Sequence, residues 1–197
     1  MAWSAAEMYT NGLEFFDAVV AGVDAEGWTR PSPCEGWSAL DVLGHVGEAT
    51  MMGVRILRGG DMSFTRHDPP SSVVDGDPAA WWVGVAADAR DSVSRLTDAD
   101  LDREVDSPMG RRSVGEGLSF PAVDLFVHGW DIATATGQEV TFPDAAIAFT
   151  RAMFDKVPDE ASRRPGVFAD VQAAGATATP TEQLIAWTGR DPGWSAA

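Results

Sequence analysis

Helix start and stop signals recur along this chain, and they constrain its fold more than any other feature. Ser4-Ala5-Ala6-Glu7 has the form of a capping box, in which a hydroxyl and a carboxylate three residues apart satisfy each other's backbone N–H groups. Tyr9, Leu13, Phe16, Val20 and Val23 follow at intervals of three and four, one buried stripe of a helix that fades before Gly27. Ser38 precedes a second helix, with Asp41 in its favourable first turn, Leu40, Leu43, Val46, Val54 and Leu57 on its apolar face, and Gly59-Gly60 as its stop. Asp77-Pro78 is a cap followed by proline at the first helical position, and Trp81, Val85, Ala89, Val93 and Leu96 mark a third helix. Residues 97–114 read as irregular and charged, with a turn at Pro108-Met109-Gly110.

A fourth helix is expected to begin between Glu116 and Pro121, because proline is tolerated only in a first turn, and to stop at Gly137. A fifth starts at Pro143 and uses Ile147, Phe149, Met153 and Phe154. Residues 161–179 have little periodicity, though Val167-Phe168 suits a short extended stretch. Thr179-Pro180-Thr181-Glu182 is another capping box, opening a short helix over Leu184, Ile185 and Trp187 that Gly189 closes. No run alternates with a period of two, so no sheet is expected. The fold class is all-α: a four-helix bundle with a fifth helix and a C-terminal extension. The expected division is a bundle at 1–160 and an extension at 161–197 packed on it.

Within these helices the chemistry concentrates at three residues. Asp124 and His128 stand four apart, so on a helix they differ by about 40° around the axis and about 6 Å along it. They point the same way and can grip one cation. His45, inside the second helix, would complete a set of two imidazoles and one carboxylate, which leaves coordination positions open. Such a set suits zinc, nickel, iron(II) or manganese, and its residual positive charge would activate a bound water or thiol. A lone helical histidine is more often a hydrogen-bonded core residue than a ligand, and an Asp-x-x-x-His pair is common by chance. Here, however, two of the three histidines lie in strongly patterned helices beside apolar neighbours.

Around the three, Asp131 follows His128 by three residues and could orient its imidazole. Glu48 stands in the same relation to His45. Trp37 and Trp130 flank the site in sequence and could line a pocket. Cys34 reads as a small buried filler, and His67 as a surface residue. Arg55, Arg58, Arg111 and Arg112 are candidates for holding a substrate carboxylate.

Composition narrows the partners. The net charge of −16 argues against nucleic acid and against an anionic membrane surface. No apolar run is long enough to span a bilayer. A single cysteine and an N-terminus without signal-peptide order point to a reducing, cytoplasmic location. Monomer and homodimer both stay open.

The segment from Pro31-Ser32-Pro33-Cys34-Glu35-Gly36-Trp37-Ser38 into Asp41-Val42-Leu43-Gly44-His45 resembles the opening of the DinB/YfiT-like metal-binding bundles. It is similar above all to the branch containing the metal-binding domain of mycothiol-dependent maleylpyruvate isomerase. Asp124 to Asp131, followed by Ala135-Thr136-Gly137, is similar to the second motif of that branch. Trp187-Thr188-Gly189-Arg190-Asp191-Pro192-Gly193-Trp194 resembles the tail of an uncharacterised bacterial subgroup. The resemblance implies a four-helix bundle holding one divalent metal, often zinc or nickel, with ligands falling on His45, Asp124 and His128.

Two departures bear on activity. The isomerase has glutamate at the position of Asp124, and it carries a second domain where this chain has only residues 161–197. The resemblance therefore implies a metal-dependent transferase or isomerase using a low-molecular-weight thiol of the mycothiol type, with a small-molecule substrate, better than it implies maleylpyruvate isomerisation itself. The alternative is a non-catalytic, metal-stabilised ligand-binding bundle.

Overall fold

A computed structural model of the chain describes residues 3–63, 66–107, 110–163 and 167–196. Its helices in chain order are α1 (Ala5–Ala21), α2 (Ala39–Leu57), α3 (Pro78–Val93) and the short α4 (Asp98–Asp102). Two-residue strands β1 (Glu104–Val105) and β2 (Arg112–Ser113) follow, then α5 (Val114–Thr136), α6 (Asp144–Phe154), α7 (Asp159–Ser162) and α8 (Pro180–Trp187). Helices α1, α2, α3 and α5 form the bundle: α5 and α3 each pack against both α1 and α2. The all-α, four-helix architecture is thus the one expected.

The caps act where the sequence puts them. Ser4 with Glu7, Ser38 with Asp41, and Thr179 with Glu182 are complete capping boxes, and Asp77 accepts the N–H of Ala80. Gly59 and Gly189 stop α2 and α8 in the left-handed conformation that favours glycine. The stripe Tyr9, Leu13, Phe16 and Val20 is buried, and Phe16 packs on Trp82 with ring centroids 4.5 Å apart.

Three local expectations are corrected. On α3 the core face is Trp82, Ala86 and Ala89, while Trp81 and Val85 are only partly buried. The shift has a polar cause: the Trp82 indole N–H donates to Asp17 at 2.8 Å. Trp81 instead lies against the bare backbone of Gly47 on α2. Helix α5 begins earlier than expected, because Ser113 and Glu116 form a further capping box, which leaves Pro121 inside the helix. An interior proline costs a free helix about 3 kcal/mol; here α5 is the central helix, buried against α1 and α2, and that packing overrides local propensity. Finally, residues 97–114 contain α4 and a β1–β2 pairing, Glu104 with Ser113 and Val105 with Arg112, too short to show an alternating pattern. Pro108 and Met109 of the expected turn lie outside the described residues.

The C-terminal segment packs through aromatic groups. Phe168 contacts Phe154 at 4.5 Å and Trp187 at 5.6 Å between ring centroids. The Arg151 and Arg163 guanidiniums lie over the Trp187 ring at 4.4 and 5.4 Å. Phe168 pairs with Arg163 in an isolated bridge.

Candidate metal centre

Because α2 packs on α5, His45 meets Asp124 and His128. His45 Nε2 lies 3.8 Å from an Asp124 carboxylate oxygen. The two imidazole rings meet edge to face with centroids 4.8 Å apart. One potential ligand atom from each of the three residues lies within 4.8 Å of the others. Tetrahedral ligands around zinc sit about 3.4 Å apart, from metal–ligand lengths of about 2.1 Å. Small side-chain rotations would close the set on one cation, and two imidazoles with one carboxylate are the right donors for it. The site is not sealed: the side chains of His45 and His128 are 17% and 12% exposed, but that of Asp124 is 33% exposed. Trp37 lies beside His45, with ring centroids 5.2 Å apart.

Asp131 lies behind His128, fully buried, and accepts from its Nδ1 at 2.8 Å. A carboxylate can only accept, so the proton sits on Nδ1 and Nε2 is the nitrogen available to a metal. Arg190 grips Asp131 with a two-pronged fork, Nε to Oδ1 at 2.7 Å and Nη2 to Oδ2 at 2.8 Å. Cys34 Sγ donates to the same Oδ2 at 3.2 Å and lies 3.8 Å from His128 Nδ1. Cys34, His128 and Asp131 also approach closely enough to suggest a cation site. The 2.8 Å hydrogen bond leaves no room for an ion there, and the Arg190 guanidinium would repel one. Nor is it a nucleophile–base–acid triad, since thiol and carboxylate face the same ring nitrogen.

The electrostatics follow from burial and from these pairs. Burial first, then the positive charges of His128, Arg66 and Arg190, lower the His45 pKa to about 3, so its imidazole is neutral. Burial alone would also push His128 down; its hydrogen bonds to Asp131 and Cys34 raise it to about 10. Burial raises Asp124 above the ordinary carboxylate range, against the pull of His128, Arg190 and Arg66. Asp131 moves the other way: burial opposes its charge, but Arg190 and His128 hold it well below that range.

Among the other expected site residues, Asp131 and Trp37 are therefore at the centre. Glu48 is not: its buried carboxylate accepts the backbone N–H of His67 at 3.0 Å and pairs with the His67 ring. Trp130 is buried in the bundle core, about 200° around α5 from His128. Arg55, Arg58 and Arg111 are engaged by Asp61, Asp88 and Glu104, and Arg112 lies in β2. Cys34 is half-buried, as a hydrogen-bonded support rather than an apolar filler. Arg190, named in the sequence only as part of the C-terminal motif, is a residue of this network that the sequence does not announce. The available signal was Asp131 itself, a carboxylate in the apolar stretch Gly129 to Ala135, which needs a cation from somewhere else in the chain.

The model described as the mycothiol maleylpyruvate isomerase N-terminal domain matches residues 9–133, a span that includes Cys34, His45, Asp124, His128 and Asp131 but not Arg190. Two uncharacterised proteins of Mycobacterium tuberculosis, from strains CDC 1551 / Oshkosh and ATCC 25618 / H37Rv, are 28% identical over 185 residues. Those matches cover 92% of this chain and 95% of the relatives. Crystal structures of mycothiol-dependent maleylpyruvate isomerase and of a histidine-to-alanine mutant of it superpose with a TM-score of 0.63, at 16% and 15% identity. Each superposition covers 75% of this chain and 67% of the other and shows a common fold. The helical bundle and the residues matched within it agree: this chain belongs to the family of the mycothiol maleylpyruvate isomerase N-terminal domain.

Proposed function

We propose that the chain binds one divalent cation, zinc or nickel, through His45, Asp124 and His128, and uses it to activate a low-molecular-weight thiol of the mycothiol type for S-transfer or isomerisation of a small substrate. One observation carries the reading. His128 is tied through Nδ1 to Asp131, which reserves Nε2 for a ligand role beside His45 and Asp124. Bound there, a divalent cation would supply Lewis acidity, favouring the thiolate of a coordinated thiol.

The chain's own residues do the rest. His45 offers a neutral lone pair at any physiological pH. Asp124, a third exposed, leaves an approach from solvent for thiol and substrate. Trp37 provides an aromatic wall beside His45. Residues 1–160 serve as the metal-binding bundle and 161–197 as an extension. A single free cysteine fits work in the reducing cytoplasm.

The test is metal content by elemental analysis of untagged protein, for wild type and for His45→Ala and His128→Ala, after incubation with zinc, nickel or iron(II). About one equivalent in wild type and none in the variants is expected. Full occupancy in both variants, or an empty wild type, would sink the assignment.

A further inference from the structure

We infer that Arg190, delivered by the segment after α8, is a positioning residue for the metal centre: it fixes the carboxylate of Asp131 so that His128 presents Nε2 in one orientation. The inference rests on the metal reading above and adds a residue from outside the span matched by the family model.

The geometry is specific. A carboxylate held by one hydrogen bond can still swing about its own bond. Arg190 takes both oxygens of Asp131, at 2.7 and 2.8 Å, so the plane of the group is set. The oxygen that receives Nη2 also receives His128 Nδ1 at 2.8 Å, so the imidazole is aimed by a carboxylate that cannot turn. Both partners are shielded, with Asp131 fully buried and the Arg190 side chain 12% exposed, so water does not compete for these bonds.

The chain is shaped to bring Arg190 there. Gly189 adopts a positive φ of 90°, and a Cβ on it would lie 2.6 Å from the Cβ of Ala169, so glycine is required by conformation and by space. The Arg190 backbone N–H donates to Ile185 O at 3.2 Å, closing the end of α8. Thr188, itself buried, accepts from Arg190 Nη1 at 3.3 Å. Ala169 in turn is tied by its carbonyl to Arg163 at 2.8 Å. The contacts of Ala169, Gly189 and Thr188 thus fix where the guanidinium is delivered. A residue that only neutralised Asp131 would need none of this exactness of approach.

The test is zinc affinity, by competition with a chromophoric chelator, together with the visible absorption of the cobalt(II)-loaded protein. Four proteins are compared: wild type, Arg190→Ala, Arg190→Lys and Leu184→Ala. Leu184 is buried in α8 and meets these groups only through its backbone carbonyl, which accepts from the Thr188 N–H at 3.0 Å and is kept in the variant, so Leu184→Ala reports loosened packing of the same segment. Arg190→Ala is expected to weaken zinc binding about 10- to 100-fold, the usual consequence of losing a group that supports a ligand, and to shift the cobalt bands. Arg190→Lys restores charge but not the fork, and recovers only part of the affinity. Leu184→Ala keeps wild-type affinity and bands.

Binding by Arg190→Ala within twofold of wild type would overturn the inference. So would an equal loss in Leu184→Ala, which would make the effect one of general packing. If Arg190→Ala does not fold, hydrogen exchange of wild type decides: zinc should slow exchange at residues 184–190, and unchanged exchange there overturns the coupling. A wild type that binds neither metal fails differently, since it refutes the metal centre itself.

Discussion

Asp131→Asn changes one side chain by almost no volume and removes one charge from the middle of a buried network. Asp131 accepts four contacts, from Arg190 Nε and Nη2 at 2.7 and 2.8 Å, His128 Nδ1 at 2.8 Å and Cys34 Sγ at 3.2 Å. In asparagine one oxygen becomes an NH2 group. Whichever way the amide is turned, that group faces a donor: Arg190 Nε on one side, or Arg190 Nη2 and His128 on the other. The buried guanidinium also loses its counter-charge. Removing one partner of a buried pair costs about 3–5 kcal/mol. For a chain of this length each kcal/mol moves Tm by about 2–4 °C, so a fall of about 6–20 °C is expected.

The measurement is urea and thermal unfolding of metal-free protein, followed by circular dichroism at pH 6, with Asp131→Leu/Arg190→Met alongside. The double variant removes both charges and should lie within about 2 kcal/mol of wild type. The pH window follows from the shifts. Asp131 has a depressed pKa, so its contribution is complete above the unfolded carboxylate value of about 3.9 and is lost as pH falls through the lower folded value. His128 is raised to about 10, so its contribution is complete below the unfolded value and is lost as pH rises towards 10. The gap between wild type and Asp131→Asn should therefore be widest between about pH 4 and 6.5. A loss below about 1 kcal/mol at pH 6, or a gap that widens from pH 6.5 to 9, would refute this account of the network.

Two further outcomes are expected. His128 holds a proton up to about pH 10 that a metal must displace, whereas His45 is already neutral, so apparent zinc affinity should rise about tenfold per pH unit from 6 to 8; a flat profile in chelator competition would contradict it. Gly47→Ala places a methyl 2.1 Å from Trp81 Cη2 and must displace the indole from the α2–α3 contact; the urea midpoint should report a loss of about 1–3 kcal/mol, and an unchanged midpoint would show that the ring is not held there.

What the sequence determined by itself is what acts over one or two turns. A capping hydroxyl reaches a backbone N–H three residues on, so Ser4, Ser38, Asp77 and Thr179 announce their helices without any partner. The same short range makes Asp124 and His128 share a face whatever surrounds them. Tertiary structure decided the rest, because packing energy depends on neighbours that are distant in the chain. It overrode the proline rule at Pro121, turned α3 about Trp82 rather than Trp81, and gave Glu48 to His67 instead of to the histidine pair. Above all it decided what surrounds Asp131. A buried carboxylate must find a cation, and no local rule says that the cation arrives 59 residues later, just past the glycine that closes α8.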